Sequence, residues 1–139
     1  MSDEADLLQV ERDARGVVTL TLNDPKRFNA LGHEMLAALQ QARADVARDE
    51  GARVVVLAAA GKAFCAGHNL KDMAQHPDLA WYQDVFGRCS RVMLAVDKLP
   101  VPVIAGVQGM ATAAGCQLVA QCDLAVASED ASFATSGIH

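Results

Sequence analysis

The sequence predicts an α/β protein in which much of the sheet is parallel. Two nearly continuous apolar runs, at residues 53–58 and 103–107, have the composition of strands that are covered on both faces. Two longer stretches, at residues 32–49 and 78–98, repeat their apolar residues at helical spacing. Because strands and helices alternate along the chain, we expect parallel pairing, although the order strand, strand, helix differs from a strict strand, helix, strand repeat.

The first half of the chain divides into a strand, a helix and a second strand. Residues 16–22 are rich in β-branched residues and predict a strand, which the turn signal at residues 23–25 ends before a loop at residues 26–30. The helix at residues 32–49 is amphipathic, because polar residues occupy the face opposite its apolar stripe. That stripe consists of Met35, Leu39, Ala42 and Val46.

The second half begins with a helix at residues 78–98, which ends before two prolines. Residues 109–122 are mostly Gly, Ala and Thr, which predicts a helix packed closely against neighbouring backbone. Residues 123–128 and 131–135 predict two short strands joined by a polar turn. No closing helix follows at residues 136–139, so we expect a truncated N-terminal core. The apolar stripe of the first of these helices is Tyr82, Val85, Phe86, Cys89, Val92, Met93 and Val96.

Composition sets the class of protein. Of the 139 residues, 52% are hydrophobic and 21% are charged, which is ample for one packed domain over residues 1–139. The net charge of -5 and the scattered Lys and Arg residues argue against a nucleic-acid partner. Residues 1–15 are acidic and contain no apolar leader, and no run is long enough to cross a membrane, so we predict a cytoplasmic protein without a membrane partner.

The cysteines carry no sign of a metal site or a disulfide framework. None of the four cysteines has CxxC spacing, and three lie among apolar or small residues, where a buried free thiol is the usual state. We therefore predict no disulfide and no metal.

Two glycine-rich points each follow a buried strand and precede a helix, at residues 66–70 and 109–117. Helix N-termini carry unpaired N–H groups and partial positive charge, so two of them aimed at one point would stabilise an oxyanion. The alternative interpretation is that these glycines serve only turns and tight helix packing. Composition alone leaves both interpretations open.

Four motifs together resemble the enoyl-CoA hydratase/isomerase (crotonase) family. They occur in the family's order and run through nearly the whole chain, which makes the resemblance specific. The motifs are Asn-Asp-Pro-Lys-Arg-Phe-Asn-Ala-Leu at residues 23–31, Gly-Lys-Ala-Phe-Cys-Ala-Gly-His-Asn-Leu at residues 61–70, Pro-Val-Pro-Val-Ile-Ala-Gly-Val-Gln-Gly at residues 100–109, and Ala-Gly-Cys-Gln-Leu at residues 114–118 with Cys122-Asp123.

The resemblance implies a fold and an oxyanion site. The fold would be a crotonase-like (ClpP/crotonase) spiral of repeated strand, strand, helix units, without the C-terminal helices that complete the family's pocket. The main-chain N–H groups of His68 and Ala114 would hold a thioester oxygen. Ala114 replaces a residue that is often Gly, which is tolerable if its φ is negative.

The resemblance also implies a ligand and an assembly. The ligand would be an acyl-CoA thioester, with coenzyme A as part of the substrate and no separate cofactor, and the full-length form would be a homotrimer or hexamer. The residues that would bind the ligand are Lys26, Arg27, Phe28, Ala30, Ala66, Gly67, His68, Asn69 and Leu70.

The chain departs from the family pattern at both hydratase glutamates. Gln117 and Gly137 stand in their places, and an amide does not titrate usefully, so standard hydration should be weak. Asn69 stands where the family often has Asp. His68 is the one titratable side chain at the site and either serves as an acid or base or fills space beside its own N–H donor. Residues 64–73 and 133–137 are most similar to a subgroup that also lacks these glutamates.

Three functions remain open from the sequence. The first is an enzyme of the enoyl-CoA hydratase/isomerase type in fatty acid metabolism, which stabilises a thioester enolate. The others are an acyl-CoA-binding protein without turnover and a structural subunit of a family complex. The enzyme is preferred because an oxyanion hole has no evident use in storage.

Overall fold

The computed structural model describes residues 7–76 and 78–135. Its strands and helices alternate as the sequence predicts, so the α/β class is confirmed. The strands are β1 Leu8–Arg12, β2 Val17–Leu22, β3 Val54–Ala59, β4 Ala63–Cys65, β5 Val103–Val107, β6 Met110–Thr112, β7 Leu124–Ala127 and β8 Ser132–Ala134. The helices are α1 His33–Arg48, α2 Leu70–Gln75, α3 Leu79–Asp97 and α4 Ala114–Gln121, and a 3-10 turn covers Pro25–Arg27.

The larger sheet has the strand order β1, β2, β3, β5, β7. Only β1 and β2 pair antiparallel, and the remaining neighbours are parallel. The inner strands are apolar on both faces, with Val55 and Leu57 buried and Val54 and Val56 half-buried. This composition suits a central parallel strand, because helices and a second layer cover both of its faces.

The smaller sheet consists of β4, β6 and β8, all parallel. Each of its strands directly follows a strand of the larger sheet, so the chain passes from one sheet to the other at every repeat. The unit is therefore strand, strand, helix, as the resemblance implies. The polar turn at residues 128–131 connects β7 to β8 across the two sheets rather than closing a hairpin.

Three short strands depart from the sequence prediction. The run at residues 109–122 is not one helix, because β6 occupies Met110–Thr112 before α4 begins. The sequence also predicts neither β1 nor β4. β4 and β6 have three residues each, which is too short to show the alternation on which strand prediction depends.

One continuous core joins buried residues of the larger sheet, α1 and α3 with those of β4, β6 and α4. The predicted stripe of α1 is buried throughout, and Leu36 joins it. Of the predicted stripe of α3, Val85, Cys89, Val92 and Met93 are buried, but Phe86 is 42% exposed. Its ring faces a cavity instead of the core.

Several sequence expectations concern chemistry outside the core. The four cysteines are free thiols, and burial raises the pKa of Cys65 to about 12 and that of Cys122 to about 11, so neither is a ready nucleophile. No group of three potential ligands that could hold a metal ion occurs within residues 7–76 and 78–135. In the described part of the chain no helix is long and apolar enough to span a bilayer.

Candidate active site

A cavity of about 870 Å³ opens between the loop after β2, the loop after β4 and the β6–α4 junction. Eight of the residues that the sequence predicts for ligand binding line it. Those eight are Lys26, Arg27, Phe28, Ala30, Ala66, His68, Asn69 and Leu70, and they are joined by Lys71, Met73, Phe86, Thr112 and Ala113. The structure thus brings two distant motifs to one wall, although the role of each residue remains a prediction.

The loop after β2 depends on two residues in the left-handed region. Phe28 has φ 54° and Asn29 has φ 55°, and the Phe28 N–H closes the 3-10 turn on the Pro25 carbonyl. Asn tolerates this conformation because its short polar side chain hydrogen-bonds locally. The reversal turns the Phe28 ring outward, where it is 53% exposed at the cavity.

Asn29 anchors this loop and is a residue that sequence reasoning missed. It is fully buried, and its Oδ1 accepts from the Asp24 N–H at 2.7 Å. Its Nδ2 lies within hydrogen-bond distance of the carbonyls of Ala60, Ala63 and Phe64. The sequence did contain a signal for this role, because the turn has no glycine and Asn is the residue type enriched where φ is positive.

The loop after β4 is fixed to the first loop by main-chain hydrogen bonds. The Ala66 N–H donates to the Phe28 carbonyl at 3.0 Å, and the Leu31 N–H donates to the Gly67 carbonyl at 2.7 Å. The Thr112 hydroxyl also donates to the Ala66 carbonyl at 3.2 Å. Both loops and β6 therefore form one hydrogen-bonded wall.

Gly67 places the two predicted oxyanion donors beside each other. Its φ is +88°, and a Cβ added there would meet the Thr112 carbonyl oxygen at 3.1 Å and the Ala114 nitrogen at 3.2 Å. Ala114 is the first residue of α4, where an N–H group has no intrahelical partner. Within the described residues, neither the His68 N–H nor the Ala114 N–H donates to a protein acceptor. Two free donors therefore flank Gly67.

The backbone strain at this junction falls on Ala113, one residue before the position that the sequence singles out. Ala113 has φ 52° and ψ -121°, whereas Ala114 is helical and its φ is not positive. The conformation is held because the Ala113 N–H donates to the Ala134 carbonyl and its own carbonyl accepts from the Gln117 N–H. Such a residue typically costs about 1–3 kcal/mol.

Replacing Ala113 with Gly is expected to raise the free energy of unfolding by about 1 kcal/mol, because glycine adopts positive φ without steric cost. Urea denaturation measures the change through the transition midpoint. The matched control is Ala37→Gly on the exposed face of α1, where φ is helical and a loss of about 1 kcal/mol is expected. Equal losses in both variants would show that Ala113 is unstrained.

The His68 ring packs on the edge of the cavity. It meets Phe86 edge to face, with ring centroids 4.9 Å apart. Burial lowers the pKa of His68, and a main-chain contact with Leu31 offsets part of that shift. The imidazole is therefore neutral at pH 7.

Asn69 and Asp72 serve the helix that follows. The Asn69 side chain caps α2 by accepting from the Lys71 and Asp72 N–H groups at 3.0 and 3.1 Å. Asn and Asp are equally good in this role, so the change from the family's Asp removes a charge and keeps the cap. Asp72 lies in the first turn of α2, where a carboxylate stabilises a helix.

Of the two replaced glutamate positions, only Gln117 lies within the described residues. Gln117 is exposed on α4 and does not line the cavity. Gly137 lies outside the described residues. No carboxylate lines the cavity within the part of the chain that the structure describes, whereas Lys26, Arg27 and Lys71 do. The wall is cationic, and among the described residues that line it His68 is the only one whose side chain has an ordinary pKa near neutrality.

A spiral of strand, strand, helix units with two free main-chain donors beside an open cavity defines a crotonase-class α/β protein. The enoyl-CoA hydratase/isomerase family model matches residues 12–139, and the chain belongs to this family. A crystal structure of an enoyl-CoA hydratase from Mycobacterium smegmatis is 64% identical, with a TM-score of 0.93 over 95% of this chain and 51% of that chain.

The subgroup that residues 64–73 and 133–137 resemble is that of enoyl-CoA hydratase domain-containing protein 3, and the comparisons confirm this resemblance. Enoyl-CoA hydratase domain-containing protein 3, mitochondrial, from Xenopus laevis is 43% identical over 132 residues, which are 95% of this chain and 45% of the relative. The crystal structure of the human protein of that description is 41% identical, with a TM-score of 0.83 over 94% of this chain and 51% of that chain. The chain thus spans about half the length of the relatives it matches.

The prediction of a cytoplasmic protein is wrong by this comparison. Relatives of that description at 40 to 43% identity are named mitochondrial in five vertebrates. The prediction rested on the lack of an apolar leader. That criterion does not separate the cytoplasm from the mitochondrion, because mitochondrial transit peptides are amphipathic and Arg-rich rather than apolar.

Proposed function

We propose that this chain binds an acyl-CoA thioester in the cavity and polarises its carbonyl through the N–H groups of His68 and Ala114. The observation that carries the proposal is the pair of unpartnered donors on either side of Gly67. Donors that are fixed before the ligand arrives stabilise charge that develops on a carbonyl oxygen, and removal of one typically costs about 3–4 kcal/mol of barrier.

The cavity wall suits the rest of such a ligand. Lys26 and Arg27 are exposed at the first loop, and Arg27 lies 3.5 Å from Asp24 across a single ion pair. Cations in this position bind phosphate groups, which coenzyme A carries. Phe28, Leu70 and Phe86 are large apolar side chains that are 53%, 77% and 42% exposed at the cavity, and they would be covered by an acyl or pantetheine chain.

The reaction class follows from what the wall lacks. Hydration in this family uses two glutamates, and the cavity lining contains no carboxylate within the described residues. We therefore propose an enolate-forming activity of the enoyl-CoA hydratase/isomerase type in acyl-CoA metabolism, with weak standard hydration. A homotrimer or hexamer stays a prediction of the resemblance.

A second candidate is an acyl-CoA-binding protein without turnover. The exposure of Gln117 on α4 and its absence from the cavity lining favour it, because no titratable residue then stands in for the missing glutamate. Loss of enoyl absorbance with crotonyl-CoA distinguishes the two candidates from a standard hydratase. Both predict a rate far below that of a two-glutamate enzyme.

The oxyanion donors are tested by comparing a saturated acyl-CoA thioester with its thioether analogue, which lacks the carbonyl oxygen. Calorimetry should show that the thioester binds about tenfold more tightly than the thioether. Two hydrogen bonds contribute roughly 1 kcal/mol each to the binding free energy, and the displacement of bound water offsets part of this gain. The Ala113→Gly variant should keep this preference. Adding Ala114→Pro to that variant should abolish it, because proline is tolerated as the first helical residue but has no N–H.

The outcomes separate the parts of the proposal. Equal affinity of the unmutated chain for thioester and thioether would overturn the oxyanion site while leaving coenzyme A binding intact. Absence of binding by either ligand would overturn the cavity assignment. A preference that survives Ala114→Pro would remove Ala114 from the site.

A further inference from the structure

The two nitrogens of the His68 ring differ in their surroundings. Nδ1 is enclosed by protein and lacks a well-aligned hydrogen-bond partner. Nε2 has no hydrogen-bond partner within the described residues and is not among the enclosed polar atoms. Because Nδ1 is enclosed, only Nε2 can reach a ligand, and a base at Nε2 requires the neutral ring to carry its proton on Nδ1.

The open space around His68 belongs mainly to the cavity. His68 lines this cavity of about 870 Å³ and, together with Leu31, a small space of about 10 Å³. The edge-to-face contact with Phe86 fixes the plane of the ring. The Nε2 lone pair is thus held on a side chain that cannot turn away without losing this packing.

The same residue offers a main-chain donor for the thioester oxygen. The α-carbon of an acyl thioester is one bond from the carbonyl carbon, so it lies within reach of the side chain whose N–H holds the oxygen. The described lining offers no carboxylate as a competing base. A neutral imidazole beside a polarised carbonyl is suited to remove the α-proton.

We propose that the imidazole of His68 is the catalytic base that removes a proton from the α-carbon of a bound acyl thioester, an inference that rests on the proposed function. Nε2 takes the proton, and the C–H electron pair forms the carbon–carbon double bond of the enolate. The negative charge moves to the oxygen held by His68 and Ala114. Return of a proton from the imidazolium restores the thioester, so the step needs no oxidant, reductant or second substrate.

Burial favours the neutral form of the ring before the reaction. Lys26, Arg27 and Lys71 line the same cavity, and His33 and Asp72 border the small space on the Leu31 side. Enolate formation places a negative charge beside the new imidazolium, which stabilises the pair. The base is therefore uncharged at rest and is stabilised as a cation only when the enolate forms.

Exchange of the α-protons of a saturated acyl-CoA in D₂O, followed by NMR, tests the base directly. The unmutated chain should exchange these protons, and His68→Gln should lower the rate at least about 100-fold, the lower end for loss of a general base. Thioester binding by His68→Gln should change less than about threefold, because its main-chain donor remains. His76→Gln, at an exposed histidine outside the cavity, is the matched control with unchanged exchange.

Two measurements on the unmutated chain do not depend on the folding of a variant. Nitrogen-15 NMR should show the neutral ring protonated on Nδ1. The exchange rate should rise with pH through a single inflection below about 6.5 and then level off, because the neutral ring is the base. A ring protonated on Nε2, exchange that persists in His68→Gln, or thioester binding without exchange overturns the base alone. Failure of the thioester to bind overturns the proposed function as well.

Discussion

Asn29→Ala is expected to lower the free energy of unfolding by about 3 kcal/mol, since it leaves buried polar groups unpaired. The Asn29 side chain is completely buried, accepts from the Asp24 N–H and faces three main-chain carbonyls of the β3–β4 region. Nδ2 has two hydrogens, so the bonds to Ala60, Ala63 and Phe64 share them. Urea denaturation reports the loss as a lower transition midpoint with an unchanged slope.

Two further variants separate the side chain from the backbone at Asn29. Asn29→Gly removes the same hydrogen bonds but adopts φ 55° freely, so it should lose less stability than Asn29→Ala by about 1 kcal/mol. Asn29→Asp keeps the size and the acceptor for Asp24 but turns an oxygen toward the three carbonyls. It should therefore be at least as damaging as alanine. An Asn29→Ala variant within about 1 kcal/mol of the unmutated chain would show that this network does not hold the loop.

The same network couples stability to the ligand site. Asn29 joins the loop that carries Lys26 and Phe28 to the end of β3 and to β4. The Cys65 thiol also donates to the Asn29 carbonyl at 3.2 Å, directly before Ala66 begins the second loop. Loss of the Asn29 side chain should therefore weaken acyl-CoA binding as well as folding.

The long elements of this fold follow from sequence because their patterns are repeated. The helix α1 spans about four turns and buries its whole predicted stripe, and β3 and β5 are apolar on both faces. By contrast, β4 and β6 have three residues each and exist because they pair with neighbours distant in sequence, Ala63 with Met110 and Cys65 with Ala111. Local periodicity contains no information about such pairing.

The candidate site, like the fold, is predicted from the sequence only in part. The motifs predict which loops meet, since the first two loops line one cavity. They predict neither the left-handed conformations of Phe28 and Ala113 nor the burial of Asn29, because these conformations are imposed by tertiary hydrogen bonds. The position of Gln117 outside the lining was equally hidden, because residue spacing does not fix which face of α4 meets the cavity.

Gly115→Ala should destabilise the chain by about 3 kcal/mol, the upper range for overpacking, although alanine is the better helix former. Gly115 is buried in the first turn of α4, and a Cβ there would overlap the Cys65 carbonyl oxygen and lie 2.8 Å from the Cys65 Cβ. The atoms that the new Cβ would meet are the Cys65 carbonyl group and the Cys65 Cβ, so the conflict cannot be relieved by moving the end of a flexible side chain. The helix must instead shift away from β4.

The matched control is Gly87→Ala in α3, which has helical geometry and open space. A Cβ at Gly87 meets only the far end of the Arg91 side chain, at 3.5 Å. This variant should gain about 0.5–1 kcal/mol, because alanine replaces glycine in a helix interior. A loss of stability in Gly115→Ala together with a gain in Gly87→Ala, both measured by urea denaturation, would establish that close packing, and not helix propensity, requires glycine at position 115. Stabilisation of both variants would contradict the close approach of α4 to β4.

The displacement caused by Gly115→Ala should also separate the two proposed oxyanion donors, the N–H groups of His68 and Ala114. Ala114 precedes Gly115, and its nitrogen faces Gly67 only because the first turn of α4 lies against the end of β4. In the absence of urea, where the Gly115→Ala variant is still folded, we expect it to bind the thioester and the thioether with equal affinity. The Gly87→Ala variant should still bind the thioester more tightly. Oxyanion stabilisation depends on donors within a few tenths of an ångström of their working positions. The absence of a side chain at residue 115 would then be a condition for the chemistry, not only for packing.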